Sequence, residues 1–271
     1  TNLGIRFVMD ALMKGGIPFH MKDAIPNLFA HWISLDIIAY LRLVSGTGNT
    51  RANWLRIMNR PNRYIKREAL APFTSDISVA QLKAYYQDKD WMLERLDRLE
   101  YDLSIMKRMS PYAAIHYLSN AMKYQDYLKD YAKEHHINEQ ELLDVLNAVH
   151  ESSQSCRTFA EWFTYIDTYT EELQKQAKSP ASKDANNESG VCLCTLHCAK
   201  GLEYPIVFIP DINEDNIPHA RAAVDADLEE ERRLFYVGIT RAKEHLHLYC
   251  VGEASGKEKF PSRFLEELNE M

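Results

Sequence analysis

The stretch Thr195-Leu-His-Cys-Ala-Lys-Gly-Leu-Glu-Tyr-Pro-Ile-Val-Phe-Ile209 decides the fold. Its last five residues are a continuous apolar run of the kind a buried parallel strand requires. Before it, Val191-Cys-Leu-Cys-Thr-Leu-His197 alternates like a second strand. Between them lies a loop of small residues with Lys200 and Gly201, whose backbone amides can approach a ligand closely because nothing projects from the Gly201 Cα. A charged helix from about Leu228 to Ile239 follows, and His245-Leu-His-Leu-Tyr-Cys-Val251 reads as a further strand. Strands alternating with a loop and a helix in this way point to an α/β domain.

Working outward, Ile5, Val8, Met9 and Leu12 fall at helical spacing and Gly15-Gly16 ends that helix. Ile17–Met21 suits a strand, and helices are expected over about Ile33–Val44 and Arg51–Met58. Arg60-Pro-Asn-Arg-Tyr-Ile-Lys-Arg67 then breaks the pattern with a proline and four cations, which sets a boundary. Residues 76–175 hold one proline and no glycine and repeat apolar residues at helical spacing, so they read as an all-helical block. Lys178–Gly190 is polar and turn-rich, like a connector. The layout expected is one discontinuous α/β domain, 1–67 and 186–271, interrupted by an all-α insertion, 68–185.

An apolar content of 46% with 26% charged residues excludes disorder and collagen-like repeats. No run approaches the ~20 apolar residues of a membrane-spanning helix, and no signal peptide is visible. The five cysteines read as reduced thiols of a cytoplasmic protein. The net charge of −7 hides an asymmetry: residues 1–67 carry ten Lys and Arg against three Asp and Glu, a balance of +7, while 68–185 and 186–271 are each −7. The basic segment is the part suited to phosphates.

Two stretches together are specific: Thr195-Leu-His-Cys-Ala-Lys-Gly-Leu-Glu203 and Glu229-Glu-Glu-Arg-Arg-Leu-Phe-Tyr-Val-Gly-Ile-Thr-Arg-Ala242. They resemble motifs V and VI of the superfamily-1A DNA helicases of the UvrD type, a family of ATP-driven motors that includes DNA-repair enzymes. Thr1-Asn-Leu-Gly-Ile-Arg6 resembles motif IV, Ala39-Tyr-Leu-Arg-Leu43 the next helix of that family, and Asn59-Arg-Pro-Asn-Arg63 the loop leading to its accessory domain. The resemblance implies a RecA-like, P-loop-NTPase-type second motor domain, 2A, split by a helical insertion, 2B. It implies that Arg6 and Arg241 reach the γ-phosphate of ATP, and that Gly201 and Glu203 lie beside the nucleotide. Forked, permanently charged guanidinium groups suit the charge that spreads over a transferring phosphoryl group. By the same resemblance Thr195, His197, His219 and Arg63 lie on the DNA side, where contacts hold a strand without reading its sequence.

The sequence has no Gly-x-x-x-x-Gly-Lys-Ser/Thr; Gly252-Glu-Ala-Ser-Gly-Lys257 is one residue short. Asp211 has no phosphate-binding partner to act with as a magnesium acid. ATP and Mg2+ are therefore expected of the parent enzyme and not to be held tightly by this piece, whose partners would be the N-terminal motor domains 1A and 1B, single-stranded DNA and a single-strand/duplex junction. The expected activity is 3′–5′ translocation and unwinding, with this piece alone inactive. A non-motor DNA-binding or protein-interaction module, and the helicase part of a RecB- or AddA-type helicase–nuclease, are the alternatives. Two departures stand out: Phe29-Ala-His-Trp-Ile-Ser-Leu-Asp36 lacks the family's Glu and Lys while keeping Asp36, and Tyr64-Ile-Lys66 replaces its Gly-Ile-Gly. The Cys192, Cys194 and Cys198 cluster beside His197 is read as buried free thiol rather than a metal site.

Overall fold

The computed structural model describes residues 2–22, 26–48, 50–178, 190–219, 222, 225–254 and 257–269. The chain divides into two compact units, one made of Thr1–Ile25 with Gln176–Met271 and the other of Pro26–Lys175.

The first unit mixes helices with short sheets. It contains helix α1 (Asn2–Lys14), strand β1 (Phe19–Met21), strand β2 (Val191–Leu193), strand β3 (Tyr204–Ile209), helix α10 (Asp225–Ile239), strand β4 (Ala242–Leu248), strands β5 (Glu253–Ala254) and β6 (Lys257–Glu258), and helix α11 (Arg263–Asn269). Among the described residues β1 pairs in parallel with β2, and β3 in parallel with β4. The stretch that falls one residue short of a P-loop instead carries the antiparallel β5–β6 pair.

β2 is shorter than the alternation over 191–197 suggests. Thr195 starts a turn, its carbonyl accepting the Ala199 amide at 3.0 Å, which takes the chain out of the sheet direction. The core gathers Ile209, Ile212, Phe235 and Phe264 with Leu196, Val207 and Leu248. β3 is not buried on both faces as its apolar run suggests: Ile206 is 49% and Phe208 59% exposed, with Phe208 stacked on His247 at 4.7 Å. Only the Val207 and Ile209 side of the strand turns to the core.

The second unit is helical: α2 (Trp32–Ser45), α3 (Arg51–Ile57), α4 (Val79–Tyr85), α5 (Asp90–Met106), α6 (Pro111–Asn120), α7 (Tyr124–His135), α8 (Glu139–Ser152) and most of α9 (Phe159–Lys178). As a compact unit it runs from Pro26 to Lys175, so it takes in α2 and α3 ahead of the 67/68 boundary expected from the proline-containing loop. The reason is α2. This helix buries Ile33, Ile37, Tyr40 and Leu41 on one side and Ser34, Ile38 and Ala39 on others, and packs against α3, α5, α6 and α8. A helix that buries residues on more than one side belongs within a bundle.

Asp36 supplies the polar anchor inside that bundle. Its fully buried carboxylate accepts from Arg60 at 2.9 Å, Arg56 at 3.1 Å and the Tyr124 hydroxyl at 2.9 Å. Burial pushes its carboxyl up from the ordinary range, against the pull of Arg60, Tyr124 and Arg56. The Phe29–Asp36 stretch thus keeps a polar anchor at Asp36, held by arginines further along the chain.

Candidate functional site

The site grows from the end of α10. The helix stops at Ile239, and Thr240 turns its hydroxyl back to the Tyr236 carbonyl at 3.0 Å. Arg241 then stands at the head of β4, and its carbonyl accepts the Tyr204 amide at 2.9 Å, which starts the β3–β4 pairing. The Arg241 guanidinium is held by all three nitrogens: Nε donates to the Val237 carbonyl at 2.7 Å, Nη1 to the Leu202 carbonyl at 3.0 Å and Nη2 to Thr240 Oγ1 at 2.9 Å. Helix end, motif V loop and β4 therefore meet at one side chain.

Gly201 occupies the left-handed region at φ 81° with open space where a Cβ would be, so the loop turns there at no steric cost. Glu203 is exposed and pairs with Lys243 at 3.1 Å, a solvent-screened contact of modest strength. Gly201, Glu203 and Arg241 are thus brought together around residues 201–203. Behind them α10 packs tightly on the same loop: a Cβ on Gly238 would stand 2.5 Å from Leu196 Cδ2 and 3.2 Å from Ile209 Cδ1.

Thr195 and His197 lie at the other end of this loop. Thr195 Oγ1 accepts the Cys198 amide at 3.4 Å, and His197 is exposed on the turn. His219 is exposed as well, with its amide donating to Glu231 Oε2 at 3.0 Å. Arg63 belongs to the helical unit, where Nη1 donates to Tyr40 Oη at 2.8 Å and to the Ile57 carbonyl at 3.0 Å. Arg6 lies in α1, but its side chain is outside the described residues.

Asp211, weighed as a metal acid, sits in a turn at φ 56°, its carbonyl accepting the Asn213 amide at 2.9 Å. Among the described residues no group of three or more His, Cys, Asp or Glu could hold a metal ion. The cysteines differ from expectation: Cys192, within β2, and Cys194, just after its end, are partly exposed, and Cys198, on the turn that follows, is exposed.

Asn213 was not singled out by sequence. It is buried, donating from Nδ2 to the carbonyls of Val251 at 2.8 Å and Phe260 at 3.0 Å and accepting the Val251 amide at 3.0 Å, so it ties three segments behind the β3–β4 pair. Lys243 was missed too, although a parallel pairing of 204 with 242 would have brought it towards Glu203. No helix among the described residues is long and apolar enough to cross a membrane.

A family model described as the UvrD-like helicase C-terminal domain matches residues 1–252. The chain is 29% identical to the protein YjcD of Bacillus subtilis (strain 168), over 99% of the chain and 35% of that protein. It is 30% identical to the ATP-dependent DNA helicase PcrA of the same organism, over 92% of the chain and 35% of the relative. With PcrA of Staphylococcus epidermidis the figures are 28%, 100% and 39%. The chain thus spans little more than a third of the length of these relatives.

Proposed function

The chain belongs to the UvrD-like helicase C-terminal domain family, and we propose that it is the second motor half of an ATP-dependent DNA helicase that moves 3′ to 5′ on single strands. In this reading the first unit is the RecA-like domain 2A and the helical unit is the accessory domain 2B. Together they work with N-terminal motor domains, 1A and 1B, which hold the nucleotide's phosphates and metal. The observation that carries the reading is the gathering of Arg241, Gly201 and Glu203 at the junction of α10, the motif V loop and β4.

Arg241 is preorganised beside the loop, and its hydrogen bond to the Leu202 carbonyl is the one it would exchange for phosphoryl oxygens when ATP closes the cleft. By its likeness to motif IV, Arg6 would act with it, two cations where negative charge spreads in the transition state. Glu203 would lie beside the nucleotide. Chemistry at Arg241 is linked to DNA because the same loop carries Thr195 and His197. Since Gly238 leaves no slack between α10 and Leu196, a shift of the helix end displaces the whole loop, and with it the strand held at Thr195, His197 and His219. Arg63, engaged with Tyr40 and Ile57, would shape the loop that meets the junction between single strand and duplex.

The experiment is strand separation by the full-length protein on duplexes with a 3′ or a 5′ single-stranded tail. ATP-dependent unwinding of the 3′-tailed duplex alone is the expected result. DNA binding with no DNA-stimulated ATP hydrolysis would overturn the motor reading in favour of a passive binding module.

A further inference from the structure

Four chemically active side chains converge where β1 meets β2. The parallel register sets His20 directly beside Cys192, and the Tyr204 hydroxyl, from the head of β3, lies 3.2 Å from Cys192 Sγ. Cys194 is two residues along on the same face, the alternation that places i and i+2 side chains together. Neither cysteine is in a disulfide and both are partly exposed, so small reagents can reach them.

The surroundings favour the ionised sulfur. Cys194 donates to Cys192, the largest effect, then Tyr204 and the His20 imidazole add to it, and together they overcome burial and bring the Cys192 thiol down to about 6. The helicase reading uses none of these residues.

We propose that Cys192 is a peroxide-sensitive modification site whose oxidised form is resolved by Cys194. The Cys192 thiolate attacks one oxygen of a hydroperoxide; the O–O bond breaks, the leaving oxygen takes a proton, and Cys192 becomes a sulfenic acid. The Cys194 sulfur then attacks the Cys192 sulfur, the S–O bond breaks, and the hydroxyl leaves as water with the Cys194 proton, giving a disulfide. The two thiols are oxidised and the peroxide is reduced. Because Cys194 directly precedes Thr195, the disulfide ties the end of β2 to the start of the motif V turn.

The test uses the full-length protein. Iodoacetamide labelling across a pH series, read by fragment-ion mass spectrometry on the tryptic peptide 184–200, should give Cys192 a rate–pH midpoint of about 6, against ~8.5 for an unperturbed thiol. Tyr204→Phe should move the Cys192 midpoint up. After hydrogen peroxide, the peptide should lose two hydrogens between Cys192 and Cys194, and in Cys194→Ser a dimedone adduct should appear at Cys192. A Cys192 midpoint at the ~8.5 of an unperturbed thiol would overturn the proposal, as would dimedone adducts that form first at Cys198 or Cys250. A sulfenic acid at Cys192 with no disulfide in the unsubstituted protein would overturn the role of Cys194.

Discussion

Arg241 Nη1 donates to the carbonyl of Leu202 at 3.0 Å, joining the second residue past α10 to the loop that begins at Thr195. The two stretches of sequence that carry the family resemblance are thus one piece of structure. Tyr204 reinforces the join, since its amide bonds the Arg241 carbonyl at 2.9 Å. A signal arising at the guanidinium has a short covalent and hydrogen-bonded path to the exposed His197.

Gly238→Ala tests how tightly α10 is seated. The new methyl would lie 2.5 Å from Leu196 Cδ2, and overpacking costs about 1–3 kcal/mol, whereas replacing glycine in a helix gains up to ~1 kcal/mol. The expected result in chemical denaturation is a net loss of ~1 kcal/mol. In a Leu196→Ala background the same change should become neutral or stabilising, because the clash is gone and the helical gain remains. Equal effects in both backgrounds would contradict the close contact.

The helical unit should fold as Pro26–Lys175 and not as 68–185. The shorter piece lacks α2, whose Ile33, Ile37 and Leu41 are fully buried, and it strands Phe29's partners Trp162 and Tyr169 without their edge-on ring contacts. It also leaves Tyr124 without Asp36, its bond across the bundle. Circular dichroism and urea titration should show a cooperative transition for the longer piece and a broad, weak one for the shorter. Equal cooperativity would place α2 outside the unit's core.

Acidification should weaken the same helical piece through His31 and His150. His31 Nδ1 accepts the Ile33 amide at 3.3 Å as the N-cap of α2, a role only the neutral ring can fill. Burial holds the His31 imidazole below its ordinary value against the pull of Asp36, and burial does the same to His150. A pKa depressed in the folded state means that the stability is present above the unfolded value of about 6.5 and is lost as pH falls through the folded values. His31→Asn keeps a capping acceptor and should remove the His31 share, up to the ~1 kcal/mol of a cap. A pH dependence unchanged in His31→Asn would contradict this role.

Much of this was legible in the residues, and the reasons it was not complete are local. Helical spacing marks α2 within a residue or so at each end, yet the 33–44 pattern shows one apolar face, and the burial of Ser34, Ile38 and Ala39 on its other sides comes from packing within the helical unit. The run Ile206–Ile209 announced a strand, but periodicity alone cannot count how many faces are covered, and Phe208 proves exposed. The Asp36 anchor draws on partners 20, 24 and 88 residues away, a relation no local pattern encodes. Arg241, Gly201 and Glu203 were legible because their loop is continuous in sequence and its partner strand follows the helix directly. The three-nitrogen engagement of Arg241 was not, since backbone carbonyls leave no trace in residue identity.

The central claim is that Arg241 acts on ATP from this half of a motor. DNA-stimulated ATP hydrolysis by the full-length protein, measured beside single-stranded DNA affinity and thermal midpoint for Arg241→Ala and Arg241→Lys, tests it most directly. Turnover in Arg241→Ala should fall by ~10³-fold or more, the scale of a lost arginine finger, with DNA affinity nearly unchanged. Arg241→Lys should recover little, because an ammonium cannot bridge two phosphoryl oxygens as a planar fork does. A folded Arg241→Ala protein that hydrolyses ATP at close to the unsubstituted rate would contradict the account.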